Sequence, residues 1–261
     1  MRLALVSLNP CWEDREASFE RSKEAVTVAG KNRPDLIVFP EMTLTGFSMN
    51  TSVTAENPQD SRSMQLFSEL SMEVRTPILY GITLSSRQGA TNTALTVDAN
   101  GQIVARYDKV HPFSFAQEDQ FFQAGNTITT ASINDMAMGL TICYDLRFPE
   151  LYTALSRNCQ ALVNIANWPG LRKDHWFTLL RARAIENQAF MVGVNRTGVD
   201  GKGIEYARST AVVRPNGEWL SPLESEGLID WYELDPGEVL SARGEFPTCK
   251  DRRPELYRSI I

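Results

Sequence analysis

The chain alternates short apolar runs with longer stretches that have the spacing of amphipathic helices, and this alternation is its most restrictive feature. Apolar runs alternating with helical stretches are typical of a sheet covered by helices. The strand-like runs span 2–8, 35–39, 78–84, 138–143, 161–166, 189–195 and 228–234, and the helix-like stretches span 14–29, 62–74, 147–157 and 171–188. The pattern therefore predicts an α/β fold.

Two hairpins add antiparallel strands to this pattern. Their turns are indicated by Asp98-Ala99-Asn100-Gly101 and by Pro215-Asn216-Gly217, each between strand-like segments. About ten to twelve strands in all would be enough for two sheets packed face to face under helical layers. Because no Gly/Ser/Pro-rich linker or internal repeat divides the chain, we expect a single domain over 1–261, with 244–261 as an extended C-terminal tail.

Charge and hydropathy exclude two classes of partner. The formal net charge is −6 and no Lys/Arg run exceeds two residues, whereas nucleic-acid binding requires a basic surface. The first apolar run stops at Asn9-Pro10, and no later run approaches the roughly 18 residues of a membrane span. The sequence thus predicts a cytoplasmic protein that binds neither nucleic acid nor membrane.

The cysteines and histidines bound the chemistry further. Cysteines stand at positions 11, 143, 159 and 249 and histidines at 111 and 175, with no C-x-x-C pair. Neither a zinc motif nor a resolving cysteine for a thiol-redox pair is indicated. We therefore expect no metal and no organic cofactor, and a catalytic base that is a carboxylate or an amine.

Three reactive residues each follow a strand-like run, which is where sites collect in α/β folds. Glu41 follows 35–39, Lys109 closes the first hairpin, and Cys143 stands before a helix whose N-terminal amides would lower the pKa of the thiol. Taken singly, each has an ordinary alternative: a solvated carboxylate, a surface lysine and a buried structural cysteine.

Together the three residues form a complete amide-hydrolysing set. Glu41 could take the thiol proton of Cys143 and return it to departing ammonia, and could then activate the water that cleaves the acyl-enzyme. Lys109 and a backbone N–H such as that of Tyr144 could hold the charge that develops on the carbonyl oxygen.

Three segments, Phe39-Pro40-Glu41, Tyr107–His111 and Ile142–Glu150, resemble the signature blocks of the nitrilase superfamily of carbon–nitrogen hydrolases, in order and at similar spacing. The resemblance covers essentially the whole chain. It implies a four-layer α-β-β-α sandwich and catalytic roles for the three residues named above.

The resemblance also implies a second catalytic glutamate between the lysine and the cysteine. Glu118 matches it, with the adjacent Asp119 as the alternative, and its implied role is to orient Lys109 and the substrate amide. His111, two residues beyond Lys109, is expected to support that lysine.

The branch is indicated by further segments, including Asn167-Trp168-Pro169 and 193–198, which resemble the omega-amidases that hydrolyse 2-oxoglutaramate and 2-oxosuccinamate. Four alternative functions remain open: a deaminated-glutathione amidase, an N-carbamoyl-amine hydrolase, a nitrilase and a catalytically silent scaffold on the same fold. One departure is Ala207-Arg208-Ser209, where relatives tend to have Gly-Asp-Ser, which leaves the pocket charge or the dimer contacts at this point open.

A substrate of that kind carries a carboxylate, which requires a cation or several donors. Arg147, four residues after Cys143, could bind it, although a structural ion pair with Glu150 or with another acid near this turn is at least an equal alternative. Tyr144 and Trp168 are the other predicted substrate-binding residues, with core packing as the alternative for Trp168. The region 180–188 pairs subunits in the superfamily, so the resemblance implies a homodimer or larger homo-oligomer.

Overall fold

The protein, described by a computed structural model over residues 1–260, contains two large sheets and seven α-helices within that range. The strands are β1 Arg2–Val6, β2 Leu36–Val38, β3 Ile78–Ser86, β4 Gly89–Val97, β5 Ile103–Asp108, β6 Thr130–Ile133, β7 Met136–Ile142, β8 Ala161–Ala166, β9 Phe190–Asn195, β10 Gly198–Val199, β11 Glu205–Tyr206, β12 Ala211–Val213, β13 Trp219–Leu220, β14 Glu224–Glu226 and β15 Ile229–Glu233. The helices are α1 Arg15–Gly30, α2 Thr51–Thr54, α3 Arg62–Val74, α4 Pro149–Ser156, α5 Lys173–Asn187, α6 Pro236–Glu245 and α7 Pro254–Ile260.

The two sheets have the same plan, with parallel strands in the centre and antiparallel strands at the edges. The first has the order β14-β15-β1-β2-β3-β4-β5 and the second β13-β12-β9-β8-β7-β6. Strands β1, β2 and β3 are parallel to one another, and so are β7, β8 and β9. Parallel strands at the centre are buried on both faces, which explains why β2 and β8 are apolar along almost their whole length.

The sheets share one apolar core, which joins Leu3 and Leu5 of the first sheet to Val163 and Val192 of the second. On the outer face of the first sheet, α1 and α3 pack through a second apolar cluster, and α4 and α5 cover the second sheet through a third. This arrangement confirms the predicted α-β-β-α sandwich.

Local sequence fixes the helix ends. The Asp14 side chain accepts a 3.0 Å hydrogen bond from the Ala17 N–H at the start of α1, and Ser61 accepts a 3.1 Å bond from the Met64 N–H at the start of α3. Among residues 1–260, no helix has both the length and the apolar character needed to cross a bilayer.

The C-terminal segment differs from the extended tail expected over 244–261. A 3-10 turn at Thr248–Asp251 and the helix α7 occupy much of it. Pro254 explains the start of α7, because proline fits the first turn of a helix, where its missing N–H costs nothing. Arg252 ties the segment to the body by donating a 2.8 Å hydrogen bond to the Glu186 carbonyl.

Candidate active site

Glu41 leaves the first sheet directly after β2 and is fully buried. The backbone here approaches β3 so closely that a Cβ on Gly81 would lie 2.4 Å from the Met42 nitrogen. Gly81 is therefore required for this approach, and Met42 adopts a φ of 44° beside it. Because Glu41 is fully buried, the alternative of a solvated carboxylate is excluded.

Lys109 follows β5 and is 2% exposed. Its backbone is fixed on both sides, since its N–H donates to the Asn92 carbonyl at 2.8 Å and its carbonyl accepts from the Gly125 N–H at 2.8 Å. Lys109 is thus a buried cation and not a surface lysine.

Lys109 lies between two buried carboxylates. Its Nζ is 3.1 Å from Glu41 Oε1 and 2.8 Å from Glu118 Oε2. Glu118, on a short 3-10 turn, is completely buried, whereas the neighbouring Asp119 is exposed, so Glu118 is the carboxylate that reaches the lysine. Burial alone would lower the pKa of Lys109, but Glu118 and Glu41 outweigh it and raise that pKa above its ordinary value.

Cys143 begins a 3-10 turn, Cys143–Arg147, at the end of β7, and its φ of 47° is rare for a residue with a side chain. Its thiol does not have the lowered pKa expected at a helix start. Burial, followed by the charge of Glu41, raises the pKa of Cys143 well above its ordinary value, although Lys109 and the Asn167 N–H oppose the shift. A thiol whose pKa is raised in this way needs a base beside it in order to act as a nucleophile.

Two asparagines that the sequence reasoning did not assign to the site complete this network. Asn92 Nδ2, from β4, donates to Glu41 Oε1 at 2.7 Å and to Glu118 Oε1 at 2.8 Å. Asn167, after β8, donates to Glu41 Oε2 from its backbone N–H at 2.8 Å and from Nδ2 at 3.2 Å. Asn92 is a buried polar residue in β4, a strand that is buried over almost its whole length. A polar amide at such a position was the available sequence signal for a role in the site.

Asp145 organises the turn that carries Cys143. Its carboxylate accepts hydrogen bonds from the Ile142 N–H at 2.9 Å and from the Tyr107 hydroxyl at 2.7 Å. His111 also binds Asp145, through its N–H at 3.1 Å and its Nδ1 at 2.8 Å, and stacks on Phe148. The prediction that His111 supports Lys109 was therefore wrong: the residue supports the turn instead, because its own N–H faces the Asp145 carboxylate.

A cavity of about 80 Å³ lies against Cys143 and Lys109. The three predicted substrate-binding residues, Tyr144, Arg147 and Trp168, all line it. Arg147 packs against the two aromatic rings, with its Cζ 5.9 Å from the Tyr144 centroid and 4.9 Å from the Trp168 centroid. The expected alternative, an ion pair with Glu150, is not among the ion pairs of the described residues.

Arg208, the unusual residue in 207–209, is not among the residues that line this cavity. It forms an ion pair with Asp230 at 2.7 Å and donates to the Gly227 carbonyl at 2.6 Å. In the part of the chain that the structure describes, no three His, Cys, Asp or Glu side chains are grouped so that they could hold a metal ion.

Both the sequence and the fold of the chain are similar to those of known proteins. The carbon–nitrogen hydrolase family model matches residues 2–243. The chain is 33% identical over 256 residues to an omega-amidase YafV of Escherichia coli strain K12, covering 96% of each chain. It is 34% identical over 242 residues to a 2-oxoglutaramate amidase of Paenarthrobacter nicotinovorans, covering 88% of this chain and 82% of the relative. The crystal structure of XC1258 from Xanthomonas campestris, a CN-hydrolase superfamily protein with an arsenic adduct in the active site, superimposes with a TM-score of 0.90 at 27% identity over 97% of each chain.

Proposed function

The chain belongs to the carbon–nitrogen hydrolase family of the nitrilase superfamily, and from that premise we propose that it is an omega-amidase. The substrate would be a short 2-oxo acid with a terminal carboxamide, such as 2-oxoglutaramate, which would be hydrolysed to the dicarboxylate and ammonia. The observation that carries the proposal is a cavity that is lined by Cys143, Lys109 and Arg147. The relatives named for omega-amidase and 2-oxoglutaramate amidase activity support it.

In the proposed mechanism, the first half-reaction forms a thioester. Glu41 takes the proton of the Cys143 thiol as the sulfur bonds to the amide carbon, and Lys109 holds the resulting negative charge on oxygen. When the carbon–nitrogen bond breaks, Glu41 returns the proton to the leaving nitrogen, which departs as ammonia.

The second half-reaction reverses the roles with water. Glu41 takes a proton from water as its oxygen attacks the thioester carbon, and the carbon–sulfur bond then breaks. The proton returns to the Cys143 sulfur and the carboxylic acid is released. Glu118 would keep Lys109 in position through both halves by accepting hydrogen bonds from its Nζ. Asn92 would hold Glu41 and Glu118 in relation to each other, because its Nδ2 donates to both carboxylates.

Two further features belong to the proposal. A cytoplasmic location would keep the nucleophile reduced, and the four cysteines are free thiols. A homodimer would cover apolar side chains that are exposed on α5 and on or just after α6, namely Ile185, Leu240 and Phe246. Light scattering on the purified protein would test the dimer.

The test of the activity is ammonia release from 2-oxoglutaramate, 2-oxosuccinamate, glutamine, deaminated glutathione, an N-carbamoyl amine and a simple nitrile, with Cys143→Ala as the blank. Turnover of the two 2-oxo acid amides alone is the expected result. Turnover of a different compound would reassign the branch, and no turnover of any compound would contradict the proposed activity.

A further inference from the structure

Two guanidinium groups face the cavity at Cys143. Arg147 and Arg172 both line it, on either side of an aromatic pair. The Arg147 Cζ lies 5.9 Å from the Tyr144 ring centroid, the Arg172 Cζ lies 5.7 Å from the Phe113 centroid, and the two rings are 4.7 Å apart. A guanidinium stacked on a ring face keeps its N–H edge free to bind an oxygen.

Neither guanidinium forms an ion pair with a carboxylate of the described residues. Arg147 has a 3.3 Å contact with His175 Nδ1 instead. Lys109, the third cation of the cavity, is already paired with Glu41 and Glu118. The cavity lining therefore carries two uncompensated positive charges, although the whole protein has a formal net charge of −6.

The position of Arg172 is fixed by its backbone. It ends the 3-10 turn Gly170–Arg172, immediately before α5, and its carbonyl accepts a 2.8 Å hydrogen bond from Trp168 Nε1. Arg147 packs on the face of the same Trp168 ring, so this tryptophan contacts both the Arg147 guanidinium and the Arg172 backbone.

We infer that Arg172 is a specificity-determining residue that binds the 2-oxo oxygen of the substrate while Arg147 binds the adjacent carboxylate; this inference rests on the proposed function. A 2-oxo acid presents two kinds of acceptor at one end, which suits two donors better than one. A plain acid amide would occupy Arg147 and leave the second guanidinium without a partner, and half-buried polar groups left unpaired cost binding energy.

The test compares 2-oxoglutaramate with glutaramate, which has the same chain and carboxylate but no oxo group. Arg172→Gln should lower kcat/KM for 2-oxoglutaramate about tenfold and change the value for glutaramate less than about twofold. Lys173→Gln is the matched control, since Lys173 is an exposed neighbouring cation whose Nζ lies over the Phe177 ring. Equal losses on both amides in Arg172→Gln, or an effect of the same size in Lys173→Gln, would overturn the inference.

A binding measurement separates this inference from the proposed activity. In the Cys143→Ala background, calorimetry should show tighter binding of 2-oxoglutarate than of glutarate, and Arg172→Gln should abolish the difference. If the wild-type protein hydrolyses no amide but the preference for 2-oxoglutarate depends on Arg172, the proposed function fails, while recognition of the 2-oxo oxygen by Arg172 stands. A preference that is absent, or that persists in Arg172→Gln, refutes the role of Arg172 whatever the enzyme hydrolyses.

Discussion

The Tyr107 hydroxyl, carried by the first sheet, donates a 2.7 Å hydrogen bond to the carboxylate of Asp145, which lies in the turn Cys143–Arg147 after β7 of the second sheet. Both residues are fully buried, and this bond joins β5, the strand that precedes Lys109, to the turn that begins at Cys143. Burial, then the Asp145 charge, raises the pKa of Tyr107, so that its hydroxyl remains a donor at any working pH.

We expect Tyr107→Phe to destabilise the protein by about 1–3 kcal/mol, because a buried charge loses one of its donors. The position of the Cys143 turn should also become less fixed, which would lower kcat more than it raises KM. Urea denaturation and steady-state kinetics measure the two effects. Tyr80→Phe is the control: the Tyr80 hydroxyl is buried with no hydrogen-bond partner among the described residues, so its loss should be neutral or stabilising. Equal losses in both variants would contradict the role of the bond.

Glu41→Gln should separate the effect of the Glu41 charge from the role that we propose for Glu41 as a base. Because the Glu41 charge raises the pKa of Cys143, its removal should lower that pKa and make the thiolate form at lower pH. The value of kcat should nevertheless fall by at least about a hundredfold, since glutamine accepts no proton. The rate of iodoacetamide alkylation against pH reports the thiol, and ammonia release reports turnover. A variant with an unchanged thiol profile, or with retained turnover, would refute this division of roles.

Asn92→Asp should be more harmful than its small change in shape suggests. The Asn92 amide donates to Glu41 and Glu118, and an aspartate would place a third negative charge beside these two buried carboxylates. We expect a loss of about 3 kcal/mol in the free energy of unfolding and loss of turnover. The exposed Asn126→Asp carries the same chemical change as a control. Thermal and urea unfolding of both variants measure the difference, and similar stabilities would argue against a site held by this amide.

Arg147→Gln should raise KM for acid amides about tenfold and leave KM for neutral amides of similar size little changed. The reason is that Arg147 lines the cavity without a carboxylate partner of its own among the described residues. The comparison requires only one acidic and one neutral amide. Equal changes for both would make Arg147 a packing residue.

Arg243→Gln should lower stability and leave catalysis intact. Arg243 donates to the carbonyls of Ser156 at 3.1 Å, Cys159 at 2.9 Å and Gln188 at 3.1 Å, at the C-terminal ends of α4 and α5. Loss of these bonds should cost about 1–3 kcal/mol, which corresponds to a fall in Tm of several degrees for a chain of this size. Calorimetry and kcat are the measurements; an unchanged Tm would show that the carbonyls find other donors.

Periodicity was sufficient for the elements that define the fold. The run 161–166 coincides with β8, and the stretches 14–29 and 62–74 differ from α1 and α3 by one residue at most. Elements with weak periodicity were not predicted, among them α7 and the short strands β10 and β11. Their positions depend on tertiary contacts, such as the Tyr206–Asp200 hydrogen bond that closes the β10–β11 hairpin at 2.9 Å.

At the site, the sequence identified the reactive groups but not what surrounds them. Glu41, Lys109, Glu118 and Cys143 were predicted and lie together, although their catalytic roles remain a proposal. Asn92 was not predicted as a site residue. Its amide lies between the carboxylates of Glu41 and Glu118, which are distant from it in the sequence and approach it only in the folded chain. The raised pKa of Cys143 was not predicted for a similar reason: it depends on burial and on a neighbouring charge, and neither can be read from the residues beside it in the chain.

Because the site is divided between the two sheets, catalytic activity should depend strongly on the position of one sheet relative to the other. Glu41 and Lys109 extend from one sheet and Cys143 and Asn167 from the other. A shift of one sheet against the other would therefore change the distance between Glu41 and Cys143, the proposed base and nucleophile, while each sheet kept its own hydrogen bonds. Reactions are sensitive to errors of about 1 Å in such a spacing. Substitutions deep in the shared core should therefore impair turnover before they unfold the chain, and neither half of the molecule alone could serve as a smaller enzyme.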